Sequence, residues 1–230
     1  MIISSNWAGQ LPQNLSRKDA QKLTEVFGWG SAHKSWSSQI GKKKDYAFSL
    51  GLESSIFFAR DSEELGDGRG NYPGTIPLPK LWMALNLPND LVVSSSFSPG
   101  FMYGAVSSYG ASLQWSFFDW REYQTTVSTE LSYTYSNAFG DADFHSPSLM
   151  AKLSRSFQDF QIYGGLGLIS AHGDFSHSSF VDSKENRDLS QLAFHARLGI
   201  QLFAGRWPVS LQGDLIGGVP QFALLVNFPI

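Results

Sequence analysis

The sequence predicts an all-β protein, a closed antiparallel up-and-down transmembrane β-barrel of about ten strands, preceded by a short N-terminal amphipathic helix. From residue 45 onward, apolar and polar residues alternate with the period of two that is typical of strands. The connections between these segments are alternately short and long, as in a barrel whose every second connection lies at the same end. Aromatic residues make up 14% of the chain and charged residues only 16%, whereas soluble domains carry about 25% charged residues.

The composition excludes several other classes of protein. With 17 basic and 20 acidic residues the net charge is -3, which argues against a nucleic-acid binder. The chain has no cysteine and therefore no disulfide framework, thiolate nucleophile or cysteine-ligated metal. No segment approaches the ~18 consecutive apolar residues of a transmembrane helix. An apolar content of 42% is too high for a disordered chain. Residues 1–7 lack a basic region followed by an apolar one, so we expect no secretory signal there.

Residues 1–44 differ from the rest of the chain and are predicted to form a separate periplasmic segment. Ser16 and Asp19 have the spacing of a capping box, with aspartate in place of glutamate. Leu23 and Phe27 lie on one face of the helix that would follow, and Gly28 is a typical residue beyond the end of a helix. We therefore predict an amphipathic helix at about residues 16–27.

Residues 45–230 are predicted to form the barrel, with strands of the ~9–11 residues that cross a bilayer when tilted. In each strand the leucine-rich and aromatic side is expected to face lipid, and the side rich in serine, threonine, glycine and glutamine is expected to face the lumen. The predicted lipid-facing set comprises Leu50, Leu52, Leu85, Leu113, Leu131, Leu166, Leu198, Ile200, Leu224 and Val226.

The connections distinguish the two ends of the predicted barrel. Short connections are expected at residues 88–90, 119–122, 155–159 and 204–207, and long ones at 61–76, 137–146 and 173–188. An even number of strands returns the chain to the end at which it starts, so both ends of the barrel sequence are expected beside the short connections. Aromatic residues collect there too, as the interfacial zone of a membrane favours. This predicted aromatic girdle comprises Trp115, Trp120, Tyr123, Phe160 and Trp207.

The last predicted strand carries a more specific pattern, in which Phe222, Leu224, Val226, Phe228 and Ile230 alternate to the end of the chain. Here the chain resembles a small bacterial outer-membrane β-barrel protein, because the pattern looks like the C-terminal signal by which such barrels are recognised for assembly. The resemblance implies the outer membrane of a Gram-negative cell, with short turns and both termini in the periplasm and long loops outside. Its implied partners are outer-membrane lipids and the barrel-assembly machinery, with no cofactor.

Isolated charges lie on the predicted inner face. This polar and ionic lumen set comprises Glu53, Glu130, Lys152, His195, Arg197 and Asp214. Buried charges are tolerated when they are paired, so we expect the two cations to find carboxylates within the set.

Bulky rings such as Trp82, Phe118 and Tyr163 are also predicted to point inward, and a barrel this narrow has little room left. We therefore expect an occluded lumen, with a solute path as the alternative. The apolar face of the predicted helix must be buried in the barrel mouth, at the membrane interface or against a neighbouring copy.

Two histidine clusters are candidates for chemistry. His145 adjoins Ser146, and His172, Asp174 and His177 form an H-x-D-x-x-H pattern. A catalytic serine needs its base within about 3 Å and a third group that orients the base, which adjacency in sequence does not supply. The H-x-D-x-x-H spacing fits no strong zinc motif. We expect these residues to be solvated loop residues, with no catalytic site and no metal.

The function is predicted only as a class. The leading hypothesis is a non-enzymatic role in envelope architecture, by holding lipid or partner copies. Small outward residues such as Gly164, Ala196 and Gly213 would permit close contact between copies, which makes a homo-oligomer a further hypothesis. The alternatives are a narrow porin-like channel for small solutes or apolar ligands, and a lipid-modifying hydrolase. A large soluble all-β domain is the alternative fold, because its strands would alternate as well.

The outward face should tolerate charge poorly. We expect Leu198→Arg to lower the free energy of unfolding by ~2–4 kcal/mol if the residue lies near the midplane, because a charge there would enter hydrocarbon. The inward change Gln201→Glu should cost less. Urea unfolding in lipid vesicles measures both, and a neutral outcome at Leu198 would show that its face meets water.

Overall fold

A computed structural model of the protein describes residues 11–36, 48–59, 62, 64–68, 74–100, 106–175, 188–203 and 207–229. Ten antiparallel strands close into one barrel, in which each strand pairs with its neighbours in the chain and the first pairs with the last. The predicted fold class and strand number are therefore confirmed. The strands are β1 Phe48–Phe58, β2 Thr75–Leu87, β3 Leu91–Ser98, β4 Val106–Trp120, β5 Thr125–Ala138, β6 Ala142–Ser156, β7 Phe160–Asp174, β8 Asp188–Leu202, β9 Val209–Ile216 and β10 Val219–Pro229.

The alternation in sequence becomes an alternation of faces. In β1, Leu52 is 56% exposed on the outer surface, whereas its neighbour Glu53 is 2% exposed inside. The ten residues predicted to face lipid all lie on the outer face of the wall, where Leu85, Ile200 and Val226 are half-buried by their neighbours and the others are exposed. Successive side chains of a strand point to opposite faces, so one closed sheet separates the two classes of residue wherever the alternation is regular.

Phe118 departs from this alternation, and its predicted inward orientation is wrong. Its ring is 45% exposed. The pairing of β4 with β5 shifts register between Ser116 and Phe118, which inserts one extra residue into β4. Such a bulge moves every residue beyond it to the other face, so a strict period of two fails there.

The two ends of the barrel differ less than the sequence predicts. The turn end carries the connections 88–90, 121–124, 157–159 and 203–208, together with the start of β1 and the end of β10. The opposite, loop end carries the connections 59–74, 99–105, 139–141, 175–187 and 217–218. The long connection predicted at 137–146 is wrong, because only residues 139–141 lie outside β5 and β6. The polar residues that indicated a loop instead extend these two strands as regular pairs.

The helix begins as predicted but ends later. Helix α1, Arg17–Leu23, starts at Ser16, and both hydrogen bonds of the capping box with Asp19 are present. It continues as a π-helical turn, Thr24–Trp29, through the glycine predicted to end it. Gly28 is required there for space, because a Cβ atom would lie 2.8 Å from the Cβ of Ala171. None of the helices in the described part of the chain is long and apolar enough to span a membrane.

Residues 11–36, which we call the plug, lie inside the barrel. Leu11, Leu23 and Phe27 are fully buried in one cluster with wall residues such as Phe57 and Phe144. The described part of the N-terminal segment is therefore packed into the barrel mouth, one of the three positions considered for the helix, with Leu11 and α1 at the loop end. Residues 1–10 and 37–47 lie outside the described part of the chain.

Candidate functional site

The plug descends the lumen alongside β5. Phe27 lies against Phe139 at the loop end, with ring centroids 5.9 Å apart. The Ser31 hydroxyl is 2.7 Å from that of Ser136. The backbone N–H of His33 donates to the Thr134 hydroxyl at 2.7 Å. The hydroxyl of Ser35 then donates to the carboxylate of Glu130. The chain from Phe27 to Ser35 therefore runs from the loop end to the middle of the barrel.

An apolar layer seals the loop end of the lumen. The ring of Phe27 is 6.0 Å from that of Phe57 and 5.9 Å from that of Phe144, measured between centroids. Gly30 lets the plug approach this closely, because a Cβ atom there would lie 2.4 Å from the Phe57 ring. Burial of apolar side chains from both the plug and the wall supplies the driving force for this contact.

Below this layer, Glu130 forms the first of three buried ionic centres. Its carboxylate lies 3.1 Å from the ammonium of Lys152 and 3.2 Å from the guanidinium of Arg197. Ser35 completes the centre from the plug, since its backbone carbonyl accepts from Arg197 at 3.1 Å and from Lys152 at 3.4 Å. The plug is therefore tied to the wall by charge-assisted hydrogen bonds, the stronger class of hydrogen bond.

Asp214 forms the second centre. One carboxylate oxygen lies 2.8 Å from Nε of Arg197 and 2.7 Å from Nε2 of His195. The other lies 3.2 Å from the ammonium of Lys34 and accepts from the Gln212 amide at 2.7 Å. Arg197 thus bridges the two centres, and Lys34 brings a cation from the plug to the wall.

Glu53 forms the third centre. Its carboxylate lies 3.5 Å from the Lys80 ammonium and accepts from the indole N–H of Trp36 at 3.1 Å. Lys80 also donates to the plug carbonyls of Ser31 and Ala32, at 3.2 and 3.3 Å. A cation on the wall therefore satisfies plug carbonyls that the closed lumen would otherwise leave without partners.

The imidazole of His33 joins the plug to β3. Its Nδ1 is 2.8 Å from the Ser96 hydroxyl and its Nε2 is 2.9 Å from the Ser94 hydroxyl. Ser94 in turn is 2.7 Å from the hydroxyl of Ser112. These serines form a polar stripe on β3 and β4, two strands whose described residues include no buried charge.

The structure brings all six predicted lumen residues inside, and it adds two cations that sequence reasoning missed. Lys80 follows the alternation of β2, which would have predicted that it points inward. It was missed because the strand begins at Thr75, whereas its apolar pattern is clear in the sequence only from Leu81. Lys34 follows the helix in a segment without any period, so no sequence signal indicated its burial. Glu53, Glu130 and Asp214 balance the three wall cations, and Lys34 adds a fourth.

Near the turn end, the inner face is polar but weakly bonded. Buried oxygen atoms of Ser49, Gln201, Ser210 and Asn227 have no hydrogen-bond partner within the described structure. Buried polar groups of this kind are usually satisfied by water. Trp36 and Trp82 are buried together in an apolar cluster of this part of the lumen.

The candidate serine–histidine pair cannot form a catalytic site. Adjacent residues in β6 point to opposite faces. The Ser146 hydroxyl points inward and donates to the plug carbonyl of Gly28 at 2.8 Å. The His145 ring points outward and is hydrogen-bonded to the Tyr133 hydroxyl. The expectation that these residues belong to a loop is also wrong, because both are paired in the sheet.

The second histidine cluster is only partly within the described structure. His172 faces His145 across β6 and β7 on the outer surface, with ring centroids 6.2 Å apart. Asp174 lies two residues further along β7, and His177 lies outside the described residues. Within the described ranges, no group of three histidine, aspartate, glutamate or cysteine side chains is placed to hold a metal ion.

The predicted aromatic girdle lies on the outer surface around the turn end. Trp115, Trp120, Tyr123 and Trp207 are exposed, and Phe160 is half-buried, with its ring stacked on that of Phe157. The predicted assembly signal lies in β10, the strand that closes the barrel by pairing with β1 and β9. Its residues Phe222, Leu224, Val226 and Phe228 lie on the outer face, and Ile230 is outside the described residues.

An apolar groove interrupts the outer surface beside β2. The pairing of β2 with β3 starts only at Leu81, so no described residue pairs with residues 75–80 on that side. Pro77 and Pro79 lie in this stretch, and proline suits such an edge because it has no N–H to donate. The groove has a volume of about 560 Å³, and its lining includes Leu52, Leu81, Leu224, Val226 and Pro99.

No protein-family model matches the sequence, and neither does any curated protein. Among solved structures, the chain is similar to bacterial outer-membrane β-barrels. One is the N-terminal β-barrel domain of Pseudomonas aeruginosa OprF, with 12% identity, 80% of this chain and 97% of that chain covered, and a TM-score of 0.42.

Two further similar structures carry different functional names. The KdgM porin shares 7% identity over 78% of this chain and 98% of its own, with a TM-score of 0.38. The outer membrane enzyme PagL shares 17% identity over 61% of this chain and 99% of its own, with a TM-score of 0.34. The likeness is one of barrel architecture, and function has to be derived from the residues of this chain.

Removing the central carboxylate should destabilise the barrel strongly. In Glu130→Gln, the charges of Lys152 and Arg197 lose their shared partner, and we expect the free energy of unfolding to fall by ~3–5 kcal/mol. Glu122→Gln is the matched control, because Glu122 is exposed in the 121–124 turn and should change stability by less than ~0.5 kcal/mol. Urea unfolding of the folded protein in detergent measures both. Equal effects would contradict the assignment of Glu130 as an ionic centre.

Proposed function

We propose that the protein is an integral outer-membrane β-barrel with a structural role in the cell envelope, closed to solutes by its own plug and holding lipid on its outer face. The observation that carries this proposal is the ionic and apolar contact of the plug with the wall through the loop-end half of the lumen. The role is non-enzymatic, which the opposite orientations of Ser146 and His145 support.

The outer face supports membrane insertion. Leu198 is 72% exposed, and exposed large apolar side chains recur on every strand around the barrel. Soluble monomers rarely expose contiguous apolar surfaces of this extent, because water penalises them. A closed barrel also leaves no unpaired sheet edge, except where part of β2 has no partner on one side. A sheet that spans hydrocarbon has to be closed in this way, because its backbone groups find no water to bond to.

The interior supports a closed lumen. A porin-like channel needs a continuous aqueous path, but the layer around Phe27 and the three ionic centres occupy the lumen from the loop end to its middle. Breaking the centres would leave buried charges without partners, which opposes spontaneous displacement of the plug. The described lumen therefore favours the structural role over the channel alternative.

Planar-bilayer recording tests the closed lumen. We expect no steady conductance from the intact protein and an open channel from a variant lacking residues 1–40, since this deletion removes the plug. Gly30→Leu tests the same point without a deletion, because its side chain would overlap the Phe57 ring. Gly213→Leu is its control, since the nearest atom to a Cβ there is 3.8 Å away. Large steady conductance from the intact protein would overturn the proposal in favour of a pore.

The groove beside β2 supports the lipid-holding part of the proposal. It is continuous with the apolar outer face, since Leu52, Leu81 and Leu224 belong both to the groove lining and to the exposed belt. Its volume falls within the range of ~300–1,000 Å³ typical of ligand pockets. The occupant that matches an apolar groove open to the membrane is the acyl chain of a phospholipid.

Filling the groove should displace that lipid. We expect Ser54→Trp, which adds a ring to the groove lining, to lose a phospholipid that the unchanged protein retains through detergent extraction. Thr129→Trp is the matched control, because it places the same ring on the outer face of β5, away from the groove. Native mass spectrometry counts the retained lipids. Equal retention in the two variants would contradict a specific lipid site.

Two further partners are proposed. The barrel-assembly machinery would bind β10, whose apolar residues face outward. A second copy would contact the flat surface of β7 and β9, where Gly164 and Gly213 flank Leu198 in register on β8. Small residues permit such close contact in lipid.

A further inference from the structure

We infer that the plug enters the barrel from the loop side of the membrane, so that Leu11 and α1 face the side opposite to the C-terminal strand end. In the orientation that the family resemblance implies, this is the exterior of the cell. The inference rests on the membrane insertion proposed above and adds to it the sidedness of the N-terminal segment.

The start of the plug is anchored at the loop end. The N–H of Gln13 donates to the Asp67 carboxylate at 2.9 Å, and the N–H of Asp67 donates to the Gln13 carbonyl at 2.9 Å. Asp67 belongs to the connection between β1 and β2, which lies at the loop end. Leu11 and Leu15 are fully buried in the same cluster as Ala59, the residue that follows β1. This part of the plug is thus part of the loop-end structure.

The plug is bonded to the wall at successive levels below this anchor. The Trp29 carbonyl accepts from the Gln221 amide at 2.9 Å. The carbonyls of Ser31 and Ala32 accept from Lys80, and that of Ser35 accepts from Arg197. Side chains of the wall therefore satisfy the peptide groups of an extended segment, as a stable passage through a closed lumen requires.

The end of the plug leads toward the turn end. Trp36 bonds to Glu53, which lies five residues from the start of β1, or ~17 Å at the rise of a strand. The described part of the plug therefore ends inside the lumen, below the loop-end anchor, whereas β1 begins at the turn end.

The positions of Leu11 and Pro229 then determine the sides of the two described ends. Ten strands return the chain to the end at which β1 starts, which is the turn end, so Pro229 lies there. Leu11 lies at the loop end, so the two residues lie at opposite ends of the barrel.

Cysteine labelling tests this sidedness directly, because the chain contains no cysteine of its own. Three single-cysteine variants of the full chain are assembled in the outer membrane of a Gram-negative host. Lys18→Cys reports on the exposed face of α1, Glu64→Cys on the loop end and Glu122→Cys on the turn end, and all three positions are exposed. The probe is a maleimide on a polyethylene glycol chain too large for porin channels, applied to intact and to permeabilised cells.

We expect Lys18→Cys to be modified on intact cells together with Glu64→Cys, and Glu122→Cys to be modified only after permeabilisation. Heat-modifiable gel mobility identifies correctly folded variants, and Lys22→Cys replaces Lys18→Cys if the latter fails to fold, because Lys22 is also exposed. Modification of Lys18→Cys only together with Glu122→Cys would overturn the inference and leave the membrane barrel standing. Equal modification of Glu64→Cys and Glu122→Cys on intact cells would overturn the proposed membrane insertion, and the inference with it.

Discussion

The requirement that a charge inside a closed wall be paired governs the interior of this barrel. Isolated charges are expensive in a medium that cannot solvate them, and each carboxylate in the lumen has at least one cation within 3.5 Å. Because Arg197 bridges Glu130 and Asp214, strands β5, β6, β8 and β9 are linked through side chains as well as through the sheet. The polar core thereby holds the plug and the wall in one arrangement.

The plug and the wall depend on each other for this balance. Ser35 contributes a carbonyl and a hydroxyl to the centre around Glu130, and Lys34 contributes a cation to the centre around Asp214. The wall in return satisfies the plug's peptide carbonyls through Lys80, Arg197 and Gln221. Each part supplies charges and hydrogen-bond partners to the other, so the described lumen is packed as a core of this protein.

The outer face follows a different constraint, since it has to meet an apolar solvent without leaving backbone groups unpaired. Closure of β1 on β10 removes the sheet edge around nearly the whole barrel. The exception is the stretch of β2 around Pro77 and Pro79, where no described residue pairs with one side of the strand. Proline has no N–H, so these two residues remove two of the donors that an edge would expose. The apolar groove lies at this irregularity, which connects the proposed lipid site to a local interruption of the wall.

The sequence by itself determined the barrel, its number of strands and the face of almost every strand residue, because a period of two maps directly onto the two faces of a sheet. It also indicated the charged lumen residues and the capping box at Ser16. Only the tertiary structure decided which carboxylate each cation meets, that Ser146 and His145 face apart, and that Lys34 and Lys80 join the ionic centres. The same holds for the bulge at Phe118 and for the path of the plug. These features depend on register, on one inserted residue and on a non-periodic segment that acquires its conformation from the wall around it. Local sequence carries no signal for contacts between residues that only closure of the barrel brings together.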